Sequence, residues 1–158
     1  MELWVEHLQL LDSQIAKAKE RLASQAQGPR PLGLGALSQV QLDREILDWN
    51  LIGNRHRVGA LGGMCPSEWS TGPNQRLGSI TKVGVPRIRT LIIEAVWRLL
   101  LFQPNYKPIL KWRAALYGTN KALKKKAAVA VGRQFLVDLW RLRTARVTAQ
   151  ELGLVMIA

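Results

Sequence analysis

The chain has 158 residues, 47% of them hydrophobic, a single cysteine and a formal net charge of +12. That apolar content can bury a core and excludes a disordered chain, lone Cys65 excludes an internal disulfide, and the acidic, amphipathic start MELWVEH is not a secretion signal. The charge is lopsided: residues 1–53 hold five Lys/Arg and seven Asp/Glu (−2), while residues 54–158 hold eighteen and four (+14), which favours a polyanionic partner, nucleic acid before an anionic membrane surface.

Residues 1–26 read as a helix. Trp4, Leu8, Leu11, Ile15, Ala18 and Leu22 recur at spacings of 4, 3, 4, 3 and 4, a heptad seam that packs on a partner helix, in cis or in a dimer, unless it is an ordinary core-facing stripe. Gly28, Pro29, Arg30 and Pro31 end it. Gly33-Leu34-Gly35 is a tight turn opening a helix over 36–49; such a turn bares backbone N–H groups that can hold phosphate, although Gly-x-Gly is more often only a turn. Arg55, His56 and Arg57 cluster ahead of a short helix over 58–61. His56 reads as a surface or phosphate-side residue, since no second ligand stands at a metal-binding spacing.

In residues 62–86, thirteen of twenty-five positions are Gly, Pro, Ser or Thr. A loop of that length in a compact domain is functional or disordered. Ser67, Ser70, Thr71, Ser79 and Thr81 give it hydroxyls, and Arg76 and Lys82 give it cations. Trp69 within it either stacks on a base or anchors the loop to the core, the second being preferred.

A broad apolar face at Ile88, Leu91, Ile92, Ala95, Val96, Leu99 and Leu100 marks a helix over 86–103, with Pro86 in its first turn and Arg87 and Arg89 beside the loop. Glu94 and Arg98 interrupt the apolar stretch 91–102, so it is no membrane span. Shorter and longer helices follow over 109–117 and 120–144, the latter beginning with Lys121, Lys124, Lys125 and Lys126, either a solvated face or a phosphate contact. Trp97, Trp112 and Trp140 fall on apolar helix faces and read as core. Thr148-Ala149-Gln150-Glu151 is a capping box for a last short helix. No stretch alternates convincingly as a strand, so the fold class is mainly α.

Four acids in the last 105 residues, far apart, make no metal site for phosphodiester cleavage. Unaided chemistry would need a hydroxyl, and Ser70 and Thr71 have only Glu68 nearby as a base. Arg76, Lys82, Arg87 and Arg89 suit the charge of a crowded phosphorane.

The run NRHRVGALGGMCPSEWSTGPNQRLGSITKVGVPRIRTLIIEAVWRLLLFQP, with KKKAAVAVGRQFLVDLWRL after it, resembles the C-terminal half of the DEDD-type insertion-sequence transposases, the IS one-ten/IS eleven-eleven family of guide-RNA-directed recombinases. The resemblance covers about 32–142 and includes N-R-x-x-V-G-A-x-x-G-x-x-P, G-S-I-T-K-x-G, the closing Leu139, Trp140 and Arg141, and PLGLGALS, which looks like that family's helix-hairpin-helix element. It implies an N-terminal coiled-coil-like helix (1–27), a compact helical transposase C-terminal domain (28–146; helix-hairpin-helix-like 32–49, nucleophile loop 62–86, helical core 86–144) and a tail (147–158). It also implies a serine that attacks DNA, in a composite site with an acidic RuvC-like domain that binds Mg2+.

This sequence carries no acidic RuvC-like half, so no cofactor is expected in the chain itself and the isolated chain is expected to be inactive. The family's nucleophile precedes a glycine in Ser-Gly or Ser-Ser-Gly. Here that position is Thr71, before Gly72, with Ser70 matching the first serine; the β-methyl of threonine restricts χ1 and crowds attack. Thr71 substitutes, Ser70 serves, or the site is dead. The expected nucleic-acid contacts are Gly33, Gly35, Arg55, Arg57, Arg76, Lys82, Arg87, Arg89, Lys124, Lys125 and Lys126. The expected partners are DNA, a structured guide RNA and a second copy through the N-terminal helix, with no membrane, in the bacterial cytoplasm at the nucleoid. The competing classes are a non-catalytic nucleic-acid-binding remnant and a helical dimerisation module.

Overall fold

The computed structural model describes residues 2–69 and 76–157. Among these, the chain folds as α1 (Glu2–Ala23), β1 (Arg30–Pro31), α2 (Ala36–Glu45), a 3-10 turn (Trp49–Leu51), α3 (Arg55–Leu61), β2 (Pro66–Glu68), β3 (Leu77–Ile80), α4 (Pro86–Phe102), α5 (Lys107–Tyr117), α6 (Lys121–Arg143), α7 (Ala149–Leu152) and β4 (Met156–Ile157). The class is mainly α, and no helix among the described residues is long and apolar enough to cross a membrane.

The core forms around α6, which packs on α3, α4 and α5. Its buried residues include Ala127, Ala128, Val131, Gly132, Phe135, Leu136 and Trp140. Gly132 lets α4 approach: a Cβ on it would lie 3.2 Å from Ile92 Cγ2 and 3.2 Å from Ile93 Cδ1. Opposite them α4 buries Ile88, Leu91, Ile92, Ala95, Val96 and Leu99, the stripe its 3.6-residue period creates. Pro86 occupies its first turn, where the missing N–H forfeits no helical bond. Asn120 caps α6 by accepting from the Ala122 and Leu123 amides at 3.0 and 3.2 Å.

Several elements differ from the sequence-based expectation. α2 stops at Glu45, four residues before Trp49, because Asp48 instead caps the 3-10 turn, accepting from the Asn50 N–H at 2.8 Å. α3 starts at Arg55, since Asn54 accepts from the His56 and Arg57 amides at 3.0 Å each. Of the three tryptophans expected in the core, Trp140 is buried, but Trp97 and Trp112 are each 38% exposed. They sit at the borders of their helices' apolar faces, and Lys124 Nζ lies 5.9 Å from the Trp97 ring centroid.

Short strands also occur, too brief to alternate visibly. β1 and β4 pair antiparallel, Arg30 with Ile157 and Pro31 with Met156. Buried Gln103, at the end of α4, reinforces that junction. Its Nε2 donates to the Leu32 and Val155 carbonyls at 2.9 and 2.8 Å, and its Oε1 accepts from the Val155 N–H at 2.9 Å. The Thr148 capping box forms as read from the sequence. α1 is exposed along residues 3–21, its seam at Trp4, Leu8, Leu11 and Ile15 facing solvent, and it rests on α2 near its C-terminal end.

One buried carboxylate organises the α5–α6 pair. Asp138 accepts from Tyr106 Oη at 2.7 Å, Gln134 Nε2 at 2.9 Å and Arg141 at 3.3 Å. Burial, with the Asp138 charge and hydrogen bond beside it, pushes the Tyr106 phenol far above its ordinary value of 10.0. Below pH ~10 both folded and unfolded chains keep that proton; above it only the unfolded chain releases it, so stability falls as pH rises. We predict a loss of up to ~1.4 kcal/mol per pH unit above pH ~10 in urea titrations, flattened in Tyr106→Phe, which also lowers stability at neutral pH by ~1–2 kcal/mol.

Candidate nucleic-acid interface

The segment expected to be an irregular loop is a hairpin on a rigid base. β2 and β3 pair antiparallel, Pro66 with Ile80 and Glu68 with Leu77, with a register irregularity between. Ser67 Oγ donates to the Ser79 carbonyl at 2.9 Å, and the Trp69 N–H to the Arg76 carbonyl at 3.0 Å. Trp69 itself is 71% exposed, so it does not anchor the hairpin in the core. Its ring instead lies over Gly78, where a Cβ would come within 2.8 Å of it. Residues 70–75, with both hydroxyl candidates Ser70 and Thr71, lie outside the described residues.

At the base, the amides of Thr81, Lys82 and Val85 donate to the carbonyls of Cys65, Gly63 and Leu61 at 2.9, 3.0 and 2.7 Å. Gly84 has φ +147°, and a Cβ there would collide with the Leu61 and Ala60 carbonyl oxygens, so only glycine fits. Lys82 takes a left-handed φ of 56°. Arg89, half-buried, reaches back from α4 and donates to the Gly62 and Lys82 carbonyls at 3.0 and 3.2 Å. Arg89 is therefore engaged with the loop backbone. Arg76 and Lys82 are exposed, and Arg87, largely exposed, stands 3.5 Å from Glu45 on α2.

The other expected contacts are dispersed. The turn at Gly33 and Gly35 backs onto α4: a Cβ at Gly33 would lie 3.5 Å from the Arg98 carbonyl carbon, and one at Gly35 3.4 Å from an Arg98 guanidinium nitrogen. Arg98 is thus a cation beside the start of α2 that the sequence pattern did not single out. Arg55 and Arg57 are exposed in the first turn of α3. Lys125 and Lys126 are exposed on α6, and Lys124 leans on Trp97.

These cations share an electrostatic logic. The first turns of α3, α4, α5 and α6 contain no acidic residue. They carry Arg55 and Arg57, Arg87 and Arg89, Lys107, and Lys121 and Lys124 instead. Positive charge at the positive end of a helix dipole is unfavourable by a few tenths of a kcal/mol each, and bound phosphate relieves it.

A second basic feature was not legible as a motif. A cleft of about 1100 Å³ opens between α3, α5, α6 and the C-terminal segment. Six cations line it, Arg55, Lys107, Lys111, Arg133, Arg141 and Arg146, against two acids, Asp138 and Glu151. They are spread over ninety residues of chain, so no local pattern reveals them. Among the described residues no group of three or more His, Cys, Asp or Glu side chains is arranged for a metal ion.

Gly84→Ala is expected to destabilise the fold by ~2–3 kcal/mol through strain at the hairpin base, measured by chemical denaturation. A Lys125→Ala/Lys126→Ala double variant, altering exposed side chains only, is expected to stay within ~0.5 kcal/mol of the parent.

The family model described as Transposase IS116/IS110/IS902 family matches residues 32–110, which span the Gly33 turn, the hairpin and α4. The chain is 33% identical over 104 residues to "Putative transposase y4rJ" of Sinorhizobium fredii (strain NGR234), a match covering 65% of this chain and 26% of that protein. The chain thus spans about a quarter of the length of that curated relative. No solved structure matches it. With half of its length matched by the family model, the chain belongs to the IS116/IS110/IS902 transposase family.

Proposed function

We propose that the chain is the DNA-binding and strand-transfer domain of a transposase of this family, and that the 62–86 hairpin presents the attacking hydroxyl. The observation that carries this is the hairpin base: the strands on either side of residues 70–75 are tied to the body by backbone bonds, an obligate Gly84 and the Arg89 clamp. A fixed base suits a group that must meet a phosphorus atom in line, because positioning supplies much of the rate in phosphoryl transfer.

In that role the Ser70 or Thr71 oxygen forms a bond to a DNA phosphorus as the bond to the leaving strand's oxygen breaks. The proton goes to a general base, for which Glu68 is the nearest carboxylate in sequence. Lys82, Arg76 and Arg87 supply positive charge to the crowded phosphorane, while Arg89 positions the loop. Gly33, Gly35, Arg55, Arg57 and Lys124–126 add backbone contacts. Mg2+ chemistry belongs, on the resemblance, to a RuvC-like domain; the residues described here do not form a site for it. A guide RNA and a second copy along α1 complete the proposed assembly, the latter supported by the solvent-facing heptad seam. The methyl group of Thr71 favours the alternative of a binding module without chemistry of its own.

Two measurements test this. For six phosphate contacts, log K for DNA falls with log salt with a slope of about −5; a flat response would overturn nucleic-acid binding altogether. In a full-length transposase carrying this domain, Ser70→Ala/Thr71→Ala is expected to abolish the covalent protein–DNA product. Its persistence would show that the hydroxyl comes from elsewhere.

A further inference from the structure

We infer that the cleft between α3, α5 and α6 is a binding site for an unpaired DNA strand, with Trp112 as its stacking platform. This rests on the nucleic-acid reading above and extends it to residues outside the hairpin.

The charge in the cleft is uncompensated. Its two carboxylates are already committed, Asp138 to Tyr106, Gln134 and Arg141, and Glu151 to the α7 capping box. Among the described residues no carboxylate lies within 4.0 Å of the cations of Arg55, Lys107, Lys111, Arg133 or Arg146. Five cations gathered in one recess repel each other, and a chain of phosphates is the ligand that relieves all of them together. At about 1100 Å³ the cleft also exceeds what a typical small-molecule site needs.

The walls select a strand with free bases. Lys107 and Lys111 lie one turn apart on α5 and present their charges along a single line. Trp112, next in the chain, lines the same cleft and is 38% exposed rather than buried. An indole among cations is the pairing of groups that holds single strands, the base on the ring and the backbone on the lysines. In a duplex the bases are stacked on each other, out of reach of a ring set in a recess. Trp140, the other indole of the lining, is already covered, with the Arg146 guanidinium 4.2 Å from its ring centroid.

The cleft also connects to the hairpin base. Arg133 lines it, and the Arg133 Nε would be 3.0 Å from a Cβ on Gly59, which in turn would be 3.3 Å from Cys65 Sγ, where the hairpin begins. The cleft wall at Arg133 thus reaches the start of the hairpin at Cys65.

The test is fluorescence polarisation with the intact chain, using a labelled single-stranded DNA oligonucleotide, its duplex and the RNA of the same sequence, over a salt series. Trp112→Ala is expected to weaken single-stranded DNA binding about tenfold or more with little effect on duplex. Lys107→Ala/Lys111→Ala is expected to make its salt slope about 1.4 units shallower, leaving the duplex slope unchanged. Melting curves check that each variant is folded; should Trp112→Ala melt early, Trp112→Leu and the lysine pair carry the test. Unchanged single-strand binding in these variants would overturn the proposal, as would equal losses on duplex. Tighter binding of the RNA, sensitive to the same variants, would overturn the assignment to DNA. No binding of any oligonucleotide by the parent chain would instead overturn the nucleic-acid reading itself, a result distinct from selective failure of the cleft.

Discussion

The burial of α6 against three other helices is the constraint on which the remainder depends. A helix of 23 residues can be enclosed on several sides only if its contact residues are small where neighbours come close and large where they diverge. Gly132 meets that need toward α4, and Phe135 meets Tyr106 edge-on, ring centroids 6.0 Å apart at 77°. Asp138 then fixes α5 to α6 through a fully bonded charge, and Trp140 Nε1 donates at 3.1 Å to the Trp49 carbonyl of the 3-10 turn. Each cationic element is hung on this axis: α5 with its lysines, α3 with its arginines, and α4 with the arginine that clamps the hairpin.

The same axis explains why a surface so rich in like charge is tolerated. Cations at four helix starts and in one cleft all work against folding, each by a small amount. The apolar interior offsets them, so that the charges remain available to a ligand instead of being neutralised internally. Of the three ion pairs among the described residues, only Arg141 with Asp138 uses a cation of the cleft; the others join Arg87 to Glu45 and Arg143 to Asp43. The cleft lining, with six cations against two acids, accounts for +4 of the chain's net charge of +12.

What the sequence revealed, and what it did not, follows the range of the interactions involved. α4, α6 and the Thr148 capping box rest on periodicity and local side-chain-to-backbone bonds, and were legible. The β2–β3 hairpin was not, because strands of three and four residues with Gly78 inside them show no alternation. The β1–β4 pair joins residues more than a hundred positions apart. Trp97 and Trp112 obeyed the period of a buried face yet stand at its edge, a matter of helix rotation that only tertiary packing decides. Among the site residues, Arg89 was recognisable as a cation beside the loop but not as its clamp. The cleft arose from positions 55 to 146 with no shared motif. The family was legible in motifs read over about 32–142, of which the family model matches 32–110; two of their glycines, Gly63 and Gly84, take positive φ that few other residues adopt.

The attachment of α1 has a mechanical consequence. Its 22 residues make a rod of about 33 Å that leaves the body near one end. The joint lies at residues 24–28, where Gly28 has φ +75°. Gln25 accepts from Arg44 at 2.6 Å, and the Gln27 carbonyl accepts from Gln39 at 2.5 Å and from Arg143 at 3.4 Å. A rotation of about 10° at this joint sweeps the far tip through about 6 Å, whereas the same rotation barely displaces the pivot. Torque on the rod is therefore delivered to Gln39 on α2 and Arg143 at the end of α6. From Gly28 the chain runs directly into the β1–β4 pair, beside the three bonds of Gln103, so the next anchor after the joint is only a few residues away.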